Sequence, residues 1–167
     1  MAPPRAISEN ALARTVGENA LPSSMRIICC GNPERGDDGA GVLVAARLRD
    51  LGVEAETRTG EASELLEAWR GADHVVVVDA VETGEPAGTV WLWDGRQTSF
   101  PGRPSTSTHG FGLAEAIALA RVLGRLPERL QVYGIEGRRF EPGTEVSPEV
   151  KLAVEEVVRR ITAGTVV

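Results

Sequence analysis

Residues 25–41 read MRIICCGNPERGDDGAG, and this stretch decides the fold. Its first six residues form a short apolar run that stops at Gly31-Asn32, the mark of a strand entering a turn. From Asp38 the apolar positions Val42, Ala45, Ala46 and Leu48 recur at helical spacing until Leu51-Gly52 closes the pattern. Strand, loop and helix in that order open an α/β unit.

Working outward, residues 53–58 read as a second, more polar strand and 62–70 as a short helix. Residues 74–80 are almost unbroken valine, as expected of a strand covered on both faces. The connection over 82–88 is too short for a crossover helix, which takes about a dozen residues. The fourth strand, 89–93, is therefore expected to run antiparallel to the third. A long loop rich in Gly, Pro, Ser and Thr fills 94–108, with enough chain to return to the opposite edge of the sheet. A helix over 110–123, a fifth strand over 130–133 and a last helix opened by Ser147-Pro148 complete the chain. Val150, Val154, Val157, Val158 and Ile161 form the apolar face of that last helix. The pattern predicts a three-layer α/β sandwich: a mostly parallel five-stranded mixed sheet with one antiparallel strand and helices on both faces.

The 167 residues suit one domain. We read 1–24 as a flexible N-terminal arm and 25–167 as a single α/β domain. Hydrophobic residues make up 42% of the chain, charged residues 25% and aromatics 4%, a balance that fits an aliphatic core and excludes global disorder. Lys and Arg number 18 against 24 Asp and Glu, a net charge of −6, and the basic residues are scattered, so no nucleic-acid partner is expected. No apolar run approaches the ~20 residues of a membrane span. Residues 1–24 lack the apolar core of a secretory signal, so a cytoplasmic protein without a membrane partner is expected. Cys29 and Cys30 are chain neighbours on opposite faces of a strand, which argues against a disulfide between them.

In sheets of this kind ligands collect beyond the carboxyl ends of the strands. Three polar groups map there: Asp37-Asp38 after the first strand, Asp79 near the end of the third, and His109 at the start of the helix after the long loop. Two carboxylates and an imidazole suit a divalent cation such as nickel or zinc, or the orientation and deprotonation of a water. Each also has a plainer reading. Asp37 or Asp38 caps the following helix, Asp79 orders a loop, and His109 is an ordinary first-turn residue. His74 reads as a surface residue, and Trp91 and Trp93 as sheet packing. There is no G-x-G-x-x-G, H-E-x-x-H, G-x-S-x-G or Walker lysine.

Four ordered segments carry a resemblance. IICCGNPERGDDGAGVLVA, VVVVDAVETG, STHGFGLAEAIALARVLG, and VYGIEG followed by FEPGTEVSPEV resemble the successive motifs of the hydrogenase maturation endopeptidases. Members of that family trim the C-terminus of nickel-dependent hydrogenase large subunits. The resemblance implies a twisted mixed sheet between helices and a peptidase domain over 25–167. It also implies that Asp38, Asp79 and His109 are the metal-contacting and catalytic positions, with Asp37 in support. The nickel would be carried by the substrate, the large-subunit precursor, although another divalent cation could occupy the site in isolation. A monomer is expected. Glu34 and Gly137 depart from the leucine and proline often found at their places. Two other readings stand beside this one. A receiver-like phosphoacceptor also has paired acids after its first strand, but it needs a lysine after a late strand, and the sole lysine is Lys151. A non-catalytic metal- or partner-binding module fits the same fold.

Overall fold

A computed structural model describes residues 25–97 and 108–164, with 108–111 described by backbone alone. The arm over 1–24 lies outside the described residues. The chain forms β1 (Met25–Cys30), a 3-10 turn (Gly36–Gly39), α1 (Ala40–Asp50), β2 (Glu56–Arg58), α2 (Ala62–Ala68) and β3 (His74–Val81). It continues with β4 (Val90–Asp94), α3 (Thr108–Val122), β5 (Arg129–Glu136) and α4 (Pro148–Thr162).

The five strands lie in the order β2-β1-β3-β5-β4. Every neighbouring pair is parallel except β4 with β5. β4 thus runs opposite to β3, as the short connection requires, but its hydrogen-bonded partner is β5. That strand enters between β3 and β4, so the segment after β3 spans two strand spacings, about 10 Å. The strand that follows the long loop is therefore an inner strand and not a new outer edge; residues 98–107 of that loop lie outside the described residues.

Alternation along the strands divides the core. Ile27, Cys29, Val76, Val78, Ala80, Tyr133 and Ile135 face α1 and α4. Ile28, Cys30, Val75, Val77, Leu130 and Val132 face α2 and α3. β3 and β5 are buried along nearly their whole length, which is why their sequences lack the polar alternation of a one-sided strand. β5 extends three residues past Tyr133 because Gly134, Ile135 and Glu136 continue to pair with Asp79, Ala80 and Val81. Gly134 leaves room for Trp93 of β4; a Cβ there would lie 2.9 Å from the indole ring. β2 is shorter than expected, only three residues pairing with β1, and the Ala55 carbonyl just before it accepts from the Arg49 guanidinium at 2.6 and 2.9 Å.

Candidate active site

The carboxyl ends of β1, β2, β3 and β5 share one rim, and two close backbone approaches bring other segments to it. Gly31, directly after β1, has φ +146°, and a Cβ there would sit 2.0 Å from the Asp38 carbonyl oxygen. Only glycine allows the turn to fold back so tightly. Gly112 in α3 packs on the Gly60 carbonyl just past β2, where a Cβ would lie 1.9 Å from the oxygen. This contact sets the start of α3 at the same rim.

Asp38 is 2% exposed, and its Oδ2 accepts the Asn32 N–H at 3.1 Å. Asn32 is itself fixed, its Oδ1 accepting from the Glu34 N–H at 2.9 Å. The 3-10 turn and α1 have no side-chain cap, so neither Asp37 nor Asp38 plays the capping role that sequence alone left open.

Asp79 shares its face of β3 with Val75 and Val77, the side toward α2 and α3. It is 3% exposed, and among the described residues its Oδ1 has no hydrogen-bond partner. Burial, and then the charge of nearby Asp38, push its carboxyl well above the usual carboxylate range, with the Ala80 N–H opposing. A buried polar atom left without a partner costs free energy, and such atoms gather where a ligand or reacting group completes them.

His109 falls in the first turn of α3, on the sheet face that Asp79 also occupies. Its imidazole lies outside the described residues. Among those described, no group of three or more His, Cys, Asp and Glu side chains is set to hold a metal. The structure therefore brings Asp38 and Asp79 together and places the backbone of His109 on the same side of the sheet. Beside the Asp38 turn a groove of about 600 Å³ runs between Gly31, Pro33, Arg58 and Glu64.

Several residues behave differently from their sequence reading. Asp37, read from the sequence as a rim acid or helix cap and by the resemblance as a supporting residue, is fully buried and accepts four hydrogen bonds: from the N–H groups of Arg138 (2.9 Å), Arg139 (3.0 Å) and Ser147 (2.7 Å) and from the Ser147 hydroxyl (2.7 Å). Burial alone would raise its pKa, but these donors outweigh burial and hold the carboxyl below its ordinary range. Ser147 is the N-cap of α4, yet its hydroxyl is donated to Asp37 and makes no capping bond within the helix. Glu136, buried at the end of β5, accepts from the Thr83 N–H (2.6 Å) and hydroxyl (2.8 Å), the Gly84 N–H (3.1 Å) and the Trp91 indole (3.3 Å), so it fixes the loop beyond β3. No spacing rule links these partners, which stand 45 to 110 residues apart.

His74 is buried rather than superficial, its Nε2 lying 2.9 Å from Gln131 Oε1. Trp91 and Trp93 stack at 5.9 Å between ring centroids, as sheet packing requires. Cys29 and Cys30 are both free and buried. Burial pushes the Cys29 thiol up to about 12 and Cys30 well above its usual value, so neither is a ready thiolate. Gly137, where a proline is often found, is buried and donates its N–H to the Val81 carbonyl at 3.0 Å, whereas Glu34 is exposed. Lys151, the cation a phosphoacceptor would require, is exposed near the start of α4.

A family model described as HycI, hydrogenase maturation protease, matches residues 59–164. The chain belongs to the hydrogenase maturation proteases. It is 30% identical over 132 residues to the hydrogenase expression/formation protein HupD of Thiocapsa roseopersicina, matching 75% of this chain and 60% of HupD's length. It is also 30% identical over 132 residues to Protein FrxA of Pyrococcus furiosus, covering 75% of this chain and 93% of FrxA. Among solved structures, the NiFe hydrogenase maturation protease HybD from Thermococcus kodakarensis superposes with a TM-score of 0.66 at 25% identity, over 83% of this chain and 97% of that one. The matched segment of this hydrogenase maturation protease family member includes Asp79, His109 and Glu136, while Asp37 and Asp38 precede it.

Proposed function

We propose that this protein is an endopeptidase that removes a C-terminal extension from the nickel-loaded precursor of a hydrogenase large subunit. Asp38, Asp79 and His109 contact the nickel that the precursor carries and position the scissile bond and a water. The observation that carries this reading is the buried Asp79 oxygen without a partner, set beside Asp38 at the strand rim. A carboxylate pair of this kind, kept from water, is costly in a resting fold and becomes favourable when a cation or a polarised water is delivered to it. Similarity to the hydrogenase maturation proteases supports a hydrogenase precursor as the substrate.

In this mechanism the precursor docks with its metal against the three side chains, and the scissile carbonyl lies beside a water held at the rim. The water oxygen bonds to the carbonyl carbon, the C–N bond breaks, and a proton moves from the water to the departing amine. The products are a shortened subunit with a new carboxylate and a free C-terminal peptide. A site divided between two proteins also gives specificity, because an unrelated peptide brings no cation to complete it. We assign the protein to the cytoplasm and to a monomeric state on the same reading. Among the described residues no helix is long and apolar enough to cross a membrane.

The test is processing by purified variants, read as the intact mass of the precursor. The parent protein should convert nickel-loaded precursor to the shorter form. His109→Ala should leave the precursor at full mass while retaining the parent's circular dichroism. Normal trimming by His109→Ala removes His109 from the proposed site.

A further inference from the structure

The carboxylate of Asp37 ties three segments together at one point. Its two oxygens receive the Arg138 and Arg139 N–H groups beyond β5 and both the N–H and hydroxyl of Ser147 at the start of α4. The Asp37 N–H is donated in turn to the Arg139 carbonyl at 2.7 Å, so backbone and side chain grip the same loop. No cation faces this carboxylate in any of those bonds. Its neighbour Asp38 points the other way, into the Asn32 turn. Successive residues in a 3-10 turn are set about 120° apart. Fixing Asp37 on one side of the turn therefore fixes the direction of Asp38 on the other. The packing is tight as well: a Cβ at Gly137 would come within 2.8 Å of Asp37 Cβ, leaving little room for the turn to rotate.

We infer that Asp37 is a positioning residue for the reaction: through the backbone of the 3-10 turn it holds the Asp38 carboxyl in the orientation that meets Asp79 and the substrate. It does not touch substrate itself. This rests on the proposed role of Asp38, and it goes beyond that role by assigning to the buried first acid a task in catalysis rather than in folding alone. Asp37→Asn keeps the size of the side chain but replaces one acceptor oxygen with an NH₂ group, which faces donors it cannot satisfy. The turn must then rotate or shift, and misplacement of a reacting group by about 1 Å lowers rates by roughly 100-fold.

The experiment compares the full-length parent with Asp37→Asn and Ser147→Ala. Two quantities are read well below the melting temperature: kcat and KM for nickel-loaded precursor per folded molecule, and the ¹H–¹⁵N resonance of the Asn32 amide that binds Asp38. For Asp37→Asn we expect kcat to fall at least ~10-fold with KM within about twofold of the parent, together with a displaced Asn32 resonance. Ser147→Ala removes one donor of the four and should move both quantities in the same direction by less; it carries the test if Asp37→Asn does not fold. A folded Asp37→Asn with parental kcat and an unmoved Asn32 resonance overturns the inference and leaves Asp37 a structural brace. Should the parent leave the precursor intact, the proposed activity fails, while the Asn32 resonance still decides whether Asp37 orients Asp38.

Discussion

At the scale of single residues, Asp79 and Asp37 show opposite solutions to burying a carboxylate. Asp79 is left with an oxygen that no described residue satisfies, and burial and Asp38 raise its pKa in the fold. A raised folded-state pKa means that stability present below the unfolded value, about pH 4, is lost as pH rises toward the folded value. Asp79→Asn should therefore melt higher than the parent at pH 7, with the difference shrinking as pH falls to about 4, while processing is abolished. Equal melting temperatures across that range would contradict this reading of Asp79. Asp37 has the reverse sign: donors outweigh burial and depress its pKa. Its contribution is present above the unfolded value and is lost as pH falls through the folded one, so Asp37→Asn should show a flatter loss of stability on acidification than the parent. The sequence named Asp37, Asp38 and Asp79 together, because acids after strands are visible in one dimension. It did not separate their roles, because the donors to Asp37 come from 101 to 110 residues away.

At the scale of elements, the rim depends on backbone contacts that tolerate no added atoms. Gly112→Ala would drive a methyl into the Gly60 carbonyl and push the first turn of α3 off the rim. We expect it to cost about 1–3 kcal/mol in denaturant unfolding, and to lower processing more steeply than that loss of stability explains, since His109 stands in the same turn. Gly137→Pro tests the departure at the end of β5. Proline removes the N–H given to Val81 and brings a ring toward Phe140 and Asp37. The lost donor alone should cost about 1–3 kcal/mol, read as a lower denaturation midpoint. The runs Met25–Cys30 and His74–Val81 were legible because apolar strands buried on both faces announce themselves. The placement of β4 was not. A short connection fixes direction, but which strand lies alongside depends on β5, which begins 35 residues after β4 ends and whose Gly134 leaves room for Trp93.

At the scale of the whole molecule, a mostly parallel sheet gathers the ends of four strands and the start of α3 at one rim, with α1 and α4 on one face and α2 and α3 on the other. The architecture and the family were readable because four motifs recur in order along the chain. The completion of the site was not, because among the described residues all that marks it is a buried Asp79 oxygen without a partner, which no sequence pattern records. The central claim is that this protein cleaves a precursor only when the precursor presents its metal. Incubating the protein with nickel-loaded and nickel-free large-subunit precursor, and reading both intact masses, tests it most directly. The account predicts a loss of the C-terminal extension in the first mixture and full mass in the second; equal cleavage in both, or none in either, would contradict it.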